Sequence, residues 1–207
     1  MFMPFAFLLL VLTVPLAGGR LARLAEVRLR GAGLVVFALA LQVLMASVIP
    51  DAPRALLVSL HAASYVLVAW ALWANRAVPG LLVIAVGGAT NAAVIALNGG
   101  TLPASARALT QAGYTIDPEE FKNSGVVQEP LLPWLGDIMA TPAWLPFRNV
   151  ISIGDIVVLI GAAVLLHVAC RSRLSTLVPH VLERSDRLMS PAAGESAGPR
   201  HGSVPLI

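Results

Sequence analysis

Charge is scarce in this chain. Only 12% of its 207 residues are Asp, Glu, Lys or Arg, about half the ~25% of soluble domains, which excludes an ordinary water-soluble globule. Cysteine is nearly absent: Cys170 stands alone, so an intrachain disulfide framework and a Cys-rich metal site are both excluded. Of the 14 Lys and Arg residues, Lys122 is the single lysine, a bias that suggests a GC-rich bacterial genome. The spacings H-E-x-x-H, C-x-x-C and the P-loop are missing, and with them the zinc-hydrolase, dithiol and phosphate-cradling chemistries they serve; no G-x-S-x-G nucleophile elbow is expected either. No catalytic residue is assigned. No metal, cofactor or nucleic-acid partner is expected.

Apolar residues are plentiful, at 57%. They gather into five runs, roughly Phe2–Ala17, Gly31–Ile49, Leu56–Ala74, Val78–Leu97 and Ile153–Cys170, each near the ~17–25 residues a membrane helix needs. The first run has no positive flank before it, and Pro15 sits just ahead of its small-residue exit at Ala17-Gly18. Both features argue against a cleaved signal peptide, and the run reads as a retained span. The expected fold is therefore an all-α integral membrane protein. Residues 1–173 form a bundle of about five transmembrane helices, and 174–207 form a cytoplasmic segment.

Arginine sets the orientation. Arg20, Arg23, Arg28, Arg30, Arg76, Arg171, Arg173, Arg184, Arg187 and Arg200 fall on one side of a five-span topology, and Arg54, Arg107, Lys122 and Arg148 on the other. The positive-inside rule then places the N-terminus outside and the C-terminus in the cytoplasm of a bacterial inner membrane. The outer loop, 98–152, holds about 55 residues, too few for a strong core of its own. It carries Trp134, Trp144, Leu131, Leu132, Leu145 and Phe147, and Trp favours the membrane–water boundary. Short interfacial helices are expected at Ala104–Ala112 and Leu131–Ala140, with Gly113–Glu129 as the wettest stretch. On the inner side Leu174, Leu177, Val178, Val181 and Leu182 share one helical face. That face either lies on anionic lipid or extends the fifth span. The tail from Ser190 is expected to be disordered.

Polar side chains inside the spans are the informative positions, because hydrocarbon offers them no partner. Gln42, His61 and Asn91 belong to three different runs, yet all fall roughly 8–11 Å below the outer boundary at 1.5 Å per residue. Asp155 sits just above that level and Asn98 closes it. Asn91 and Asn98 share one face of the fourth run, continued by Gly87 and Gly88. His61, Ser64 and Tyr65 share a face of the third. The small residues Ala89, Ala92, Ala93 and Ala96 place the fourth run at the bundle centre. Two readings follow. In one the polar layer is helix-to-helix glue in an accessory or scaffold protein that contacts lipid and a membrane protein partner or a second copy. In the other, Gln42, His61, Asn91, Asn98 and Asp155 line an outward-facing pocket for a proton, cation or small polar ligand. Asp155 also suits the start of the fifth run, where a carboxylate caps free N–H groups. His167 and Cys170, near the inner end, read as packing residues.

The residues Gly18-Gly19-Arg20-Leu21, Gln42, Asn91, Asn98-Gly99-Gly100, Pro103 and Ile153-Gly154-Asp155 together resemble the bacterial membrane family known as domain of unknown function 5317. The resemblance covers about residues 8–172, with Leu102 where a Met would be expected. It implies the multi-span architecture, places Asn98, Gly99, Gly100 and Asp155 in the family pattern, and implies no reaction. Asn98-Gly99-Gly100 would close the fourth helix with left-handed backbone. Pro103 would then start the next helix, folding the loop over the bundle mouth so that Asn98 and Asp155 become neighbours.

Overall fold

The computed structural model describes residues 2–49, 52–114, 124–142, 144–145 and 148–177. The chain is mostly helical. Among these residues are five apolar helices, α1 Phe2–Leu16, α2 Ala32–Ser47, α3 Arg54–Ala74, α4 Leu81–Leu97 and α6 Ile153–Ala169; short links join α2 to α3 and α3 to α4, a stretch with the 3-10 helix Leu21–Glu26 joins α1 to α2, and an elaborated loop separates α4 from α6. These elements match the five apolar runs to within a few residues. Length separates them. Within α3, Ala55–Ala74 is long and apolar enough to cross a membrane; the other four apolar helices are shorter.

The loop corrects the all-α expectation. Among its described residues are the short helix α5 Ala106–Gln111 and four brief strands, β1 Leu102–Pro103, β2 Ser124–Gly125, β3 Asp137–Ala140 and β4 Val150–Ser152. Strands β1 and β2 pair in parallel, whereas β3 and β4 are antiparallel, with Asp137 opposite Ser152 and Ala140 opposite Val150. The helix expected over Leu131–Ala140 is thus one 3-10 turn, Pro133–Leu135, followed by a strand. Pro133 opens that turn, and strand pairing to β4 satisfies the backbone beyond Gly136. Pro103 does not start a helix either. It lies in β1, and α5 begins at Ala106 after Ser105. Ala108, Ala112 and Val150 make a small buried cluster with Leu109 and Ala140 around them. Most of the stretch Gly113–Glu129 lies outside the described residues, as do Phe147 and the tail beyond Leu177. Of the expected inner amphipathic helix, Arg173–Leu177 is a 3-10 turn.

Glycine decides the tightest contact, between α4 and α6. A Cβ added at Gly87 would lie 2.6 Å from the Gly154 carbonyl oxygen and 2.8 Å from Val158 N; one at Gly161 would lie 2.7 Å from Ile84 N. Gly80 meets Gly161 and Leu165 in the same way, and Gly154 meets Asn91 and Gly87. Gly80 and Gly87, like Gly154 and Gly161, are seven residues apart, so each pair lies on one helical face. The two faces meet head to tail, backbone against backbone. Gly88 faces open space, and Ala89, Ala93 and Ala96 are exposed, so the close approach uses a different face from the one their small size suggested.

The other helices attach more loosely. Helix α1 docks on the end of α6 through Val14, Leu166 and Cys170, with Leu10, Val11 and Leu24 alongside. Helix α2 packs against α3. Asn75, one residue past α3, accepts from Arg30 N at 2.8 Å and donates to Arg30 O at 2.9 Å and Ala71 O at 2.7 Å. This clamp ties the start of α2 to the end of α3. Trp70 packs where a side chain on Gly31 would go, and Gly31 has a left-handed φ of 70°. Much apolar surface remains uncovered, including Leu12, Val36, Phe37, Leu39, Val43, Val58, Val66, Trp70 and Trp73.

Candidate functional site

The strand–helix junction at Ser152 builds the best-organised polar centre. Strand β4 delivers Ser152 in extended conformation to the first turn of α6. The Ser152 hydroxyl oxygen accepts from Asp155 N at 3.0 Å, and the Asp155 carboxylate accepts from Ser152 N at 3.1 Å. This reciprocal capping box satisfies two N–H groups the helix cannot reach. Asp155 is its third-position partner, and Ser152 is the cap. Helix α4 then joins in. Asn91 Nδ2 donates to the other Asp155 oxygen at 2.9 Å, while Asn91 Oδ1 accepts from the Ser152 hydroxyl at 3.0 Å. The three side chains close a ring of hydrogen bonds across the α4–α6 contact.

Gln42 and His61 have other partners. Gln42 Nε2 donates to Ser64 Oγ at 3.1 Å, and Ser64, fully buried, donates to His61 O at 2.8 Å. His61 Nδ1 lies 3.3 Å from Met45 Sδ, and its ring meets Tyr65 edge-on at 5.8 Å between centroids. Among the described residues no hydrogen bond links this α2–α3 group to the Asn91–Asp155–Ser152 ring. Depth aligned the residues in the sequence; neighbour choice divides them in the fold.

Asn98 has a third role. Its amide donates to Leu131 O at 2.9 Å and to Val94 O at 2.8 Å, and its oxygen accepts from Leu131 N at 2.8 Å. Gly99 and Gly100 are left-handed, and Gly100 N donates to Ile95 O at 2.9 Å, the closure expected past a helix end. Asn98 thus latches the loop at Leu131, while Asp155 is held by Asn91 and Ser152. A cleft of about 370 Å³ in the loop is lined by Pro103, Ala104, Ser105, Pro130, Pro133, Trp134 and Ile138. None of the five residues expected to line a pocket contributes to it.

Two polar groups have functions the sequence did not signal. Asn75 lies between the third and fourth apolar runs, and its clamp needs the α2 start beside it. His167 stands between α1 and the turn after α6. Thr13 Oγ1 gives its proton to Leu10 O at 2.6 Å, so it accepts from His167 Nε2 at 3.1 Å, leaving Nδ1 to accept from the Ser172 hydroxyl at 2.8 Å. The packing reading of His167 therefore comes with a defined tautomer. No group of three or more His, Cys, Asp or Glu able to hold a metal occurs among the described residues. In the tail, Gly194-Glu195-Ser196-Ala197-Gly198 has the letters of the G-x-S-x-G elbow, contrary to the expected lack of enzyme spacings. Such an elbow works only on a strand-to-helix turn, and this string lies outside the described residues.

No curated protein and no solved structure matches this chain. One family does, over residues 26–167, which takes in Gln42, the Asn91–Asp155–Ser152 ring and the Asn98 latch but leaves out Gly18-Gly19-Arg20-Leu21. Since that match spans most of the chain, the protein belongs to the family of unknown function DUF5317.

Proposed function

We propose that this protein is a five-helix integral membrane scaffold or accessory subunit, without catalytic activity, in a bacterial inner membrane. Its N-terminus is outside and its C-terminus cytoplasmic. Lipid covers its flanks, and a membrane protein partner or a second copy is its working contact. The observation that carries this reading is how the polar residues are used. Gln42, His61, Asn91, Asn98 and Asp155 each bind a neighbouring element of the same chain, as interhelical glue does. The uncovered Leu, Val, Phe and Trp surface of α1, α2 and α3 suits hydrocarbon. Helices α4 and α6, at 17 residues each, fall at the short end of the ~17–25 residue spanning range.

Native mass spectrometry of the protein released gently from its own membrane tests the proposal. A stoichiometric protein neighbour, or a second copy, retained in the His61→Leu variant, is the expected result. A lone chain carrying a defined small adduct that His61→Leu loses would replace the scaffold reading with a small-ligand binding or transport protein.

A further inference from the structure

At one end of the bundle the chain gathers arginine. Helix α1 leaves there, α2 starts, α3 ends, α4 starts and α6 ends. Asn75 fixes Arg30 beside the α3 terminus, and Gly80 packs against Gly161 and Leu165. The exits of α1 and α6 are strapped directly to each other. Arg20 N donates to Cys170 O at 3.0 Å, and Arg173 N donates to Ala17 O at 2.9 Å. Arg20, Arg23, Arg171 and Arg173 are thereby brought around one joint, with the Arg173 side chain lying over Gly18. Arg28, Arg30 and Arg76 occupy the same end. Glu26 is the one acidic residue there among the described residues.

Arg171 marks this joint as more than a by-product of topology. It follows the last turn of α6 with a left-handed φ of 49°, and Ser172 N reaches back to His167 O at 3.0 Å. Glycine is the residue that this helix closure favours, because a side chain there costs free energy. The chain instead places an exposed arginine at this joint.

Next to the cluster the surface changes in a fixed order. Exposed Val58 and Val66 on α3 give way to exposed Trp70 and Trp73, and the Arg76 guanidinium stacks 4.6 Å above the Trp73 ring. Apolar surface, then indole, then guanidinium is the order of a bilayer's chain region, interface and headgroup layer. We infer that the joint between the α1 and α6 exits, built from Arg20, Arg23, Arg171 and Arg173, binds the phosphate of an anionic phospholipid headgroup. This inference rests on the membrane-bundle reading and adds the lipid class and the site.

The test uses the full chain in a neutral detergent, titrated with phosphatidylglycerol, phosphatidylcholine or soluble glycerol phosphate, with the thermal unfolding midpoint and native mass spectrometry as readouts. Phosphatidylglycerol should raise the midpoint and stay bound, where the other two do neither, and 1 M salt should abolish the effect. Arg171→Gly, which keeps the left-handed backbone accessible, should bind phosphatidylglycerol roughly fivefold more weakly. Adding Arg173→Gln should weaken binding further. Equal response to phosphatidylcholine, an equal response to glycerol phosphate, or an Arg171→Gly variant that binds phosphatidylglycerol as wild type does would each overturn the site. Alkaline washing of cell membranes separates the two levels. A chain retained after the wash but indifferent to phosphatidylglycerol loses the headgroup site and keeps the membrane reading; a chain released by the wash loses both.

Discussion

The α4–α6 and α2–α3 contacts solve one problem in two ways. Between α4 and α6, four glycines remove side chains so that the two backbones touch, and a closed ring of Asn91, Asp155 and Ser152 sits at one end. Between α2 and α3, side chains fill the gap: Gln42 to Ser64, His61 to Met45, and Asn75 to Arg30. Backbone contact leaves no slack, since nothing at the interface can rotate away. Side-chain contact can be rebuilt, since each partner retains other rotamers and other bonds. The first interface should be brittle and the second forgiving.

The largest effect should come from adding one methyl group to the brittle interface. Gly87→Ala forces a Cβ into the Gly154 carbonyl and Val158. It should cost more than about 3 kcal/mol, beyond the usual ~1–3 kcal/mol of overpacking, because backbone has to move. Gly88→Ala, one position on and facing open space, should instead stabilise by about 0.5–1 kcal/mol through helix propensity. Thermal unfolding in detergent measures both, and equal behaviour of the two variants would remove the brittleness assigned to the α4–α6 interface. A middle effect should follow Asn91→Leu. It strips a donor from Asp155 and an acceptor from the Ser152 hydroxyl, at about 1–3 kcal/mol for polar groups left without partners. The smallest effect should belong to Gln42→Leu. Ser64 keeps its bond to His61 O, so the loss should stay near the ~0.6 kcal/mol average of interhelical bonds in membranes. A Gln42→Leu cost above that of Asn91→Leu would reverse the comparison.

These differences also show what was legible in the sequence. The five apolar helices were, because continuous apolar runs bounded by Arg, Pro and Gly leave few alternatives. The left-handed closure at Gly99 and Gly100 was legible too, since glycine after a helix carries its own conformational signal. The strand at Asp137–Ala140 was not, because four residues hold no periodicity that a short helix lacks, and its partner Val150–Ser152 lies ten residues on. The separation of Gln42 and His61 from Asn91 and Asp155 was hidden for another reason. Spacing along a helix fixes depth, whereas the neighbouring helix is chosen by packing. Even so, the seven-residue spacing repeated in Gly80, Gly87 and in Gly154, Gly161 was present in the letters, and it is the signal that would have paired α4 with α6. Asn75 gave none, since its value depends on a turn 45 positions earlier in the chain.

The Asn98 latch has a consequence for how this chain tolerates changes in length. One amide grips both backbone groups of Leu131, 33 positions away, and so closes the intervening stretch into a loop. The entropy of closing such a loop grows only with the logarithm of its size, at about 0.6 kcal/mol per doubling. Residues added between α5 and β2, clear of the buried Ala108, Ala112 and Val150 cluster, would therefore lengthen the loop while the bundle beneath it kept its register, which makes that part the natural place to insert an epitope or a reporter.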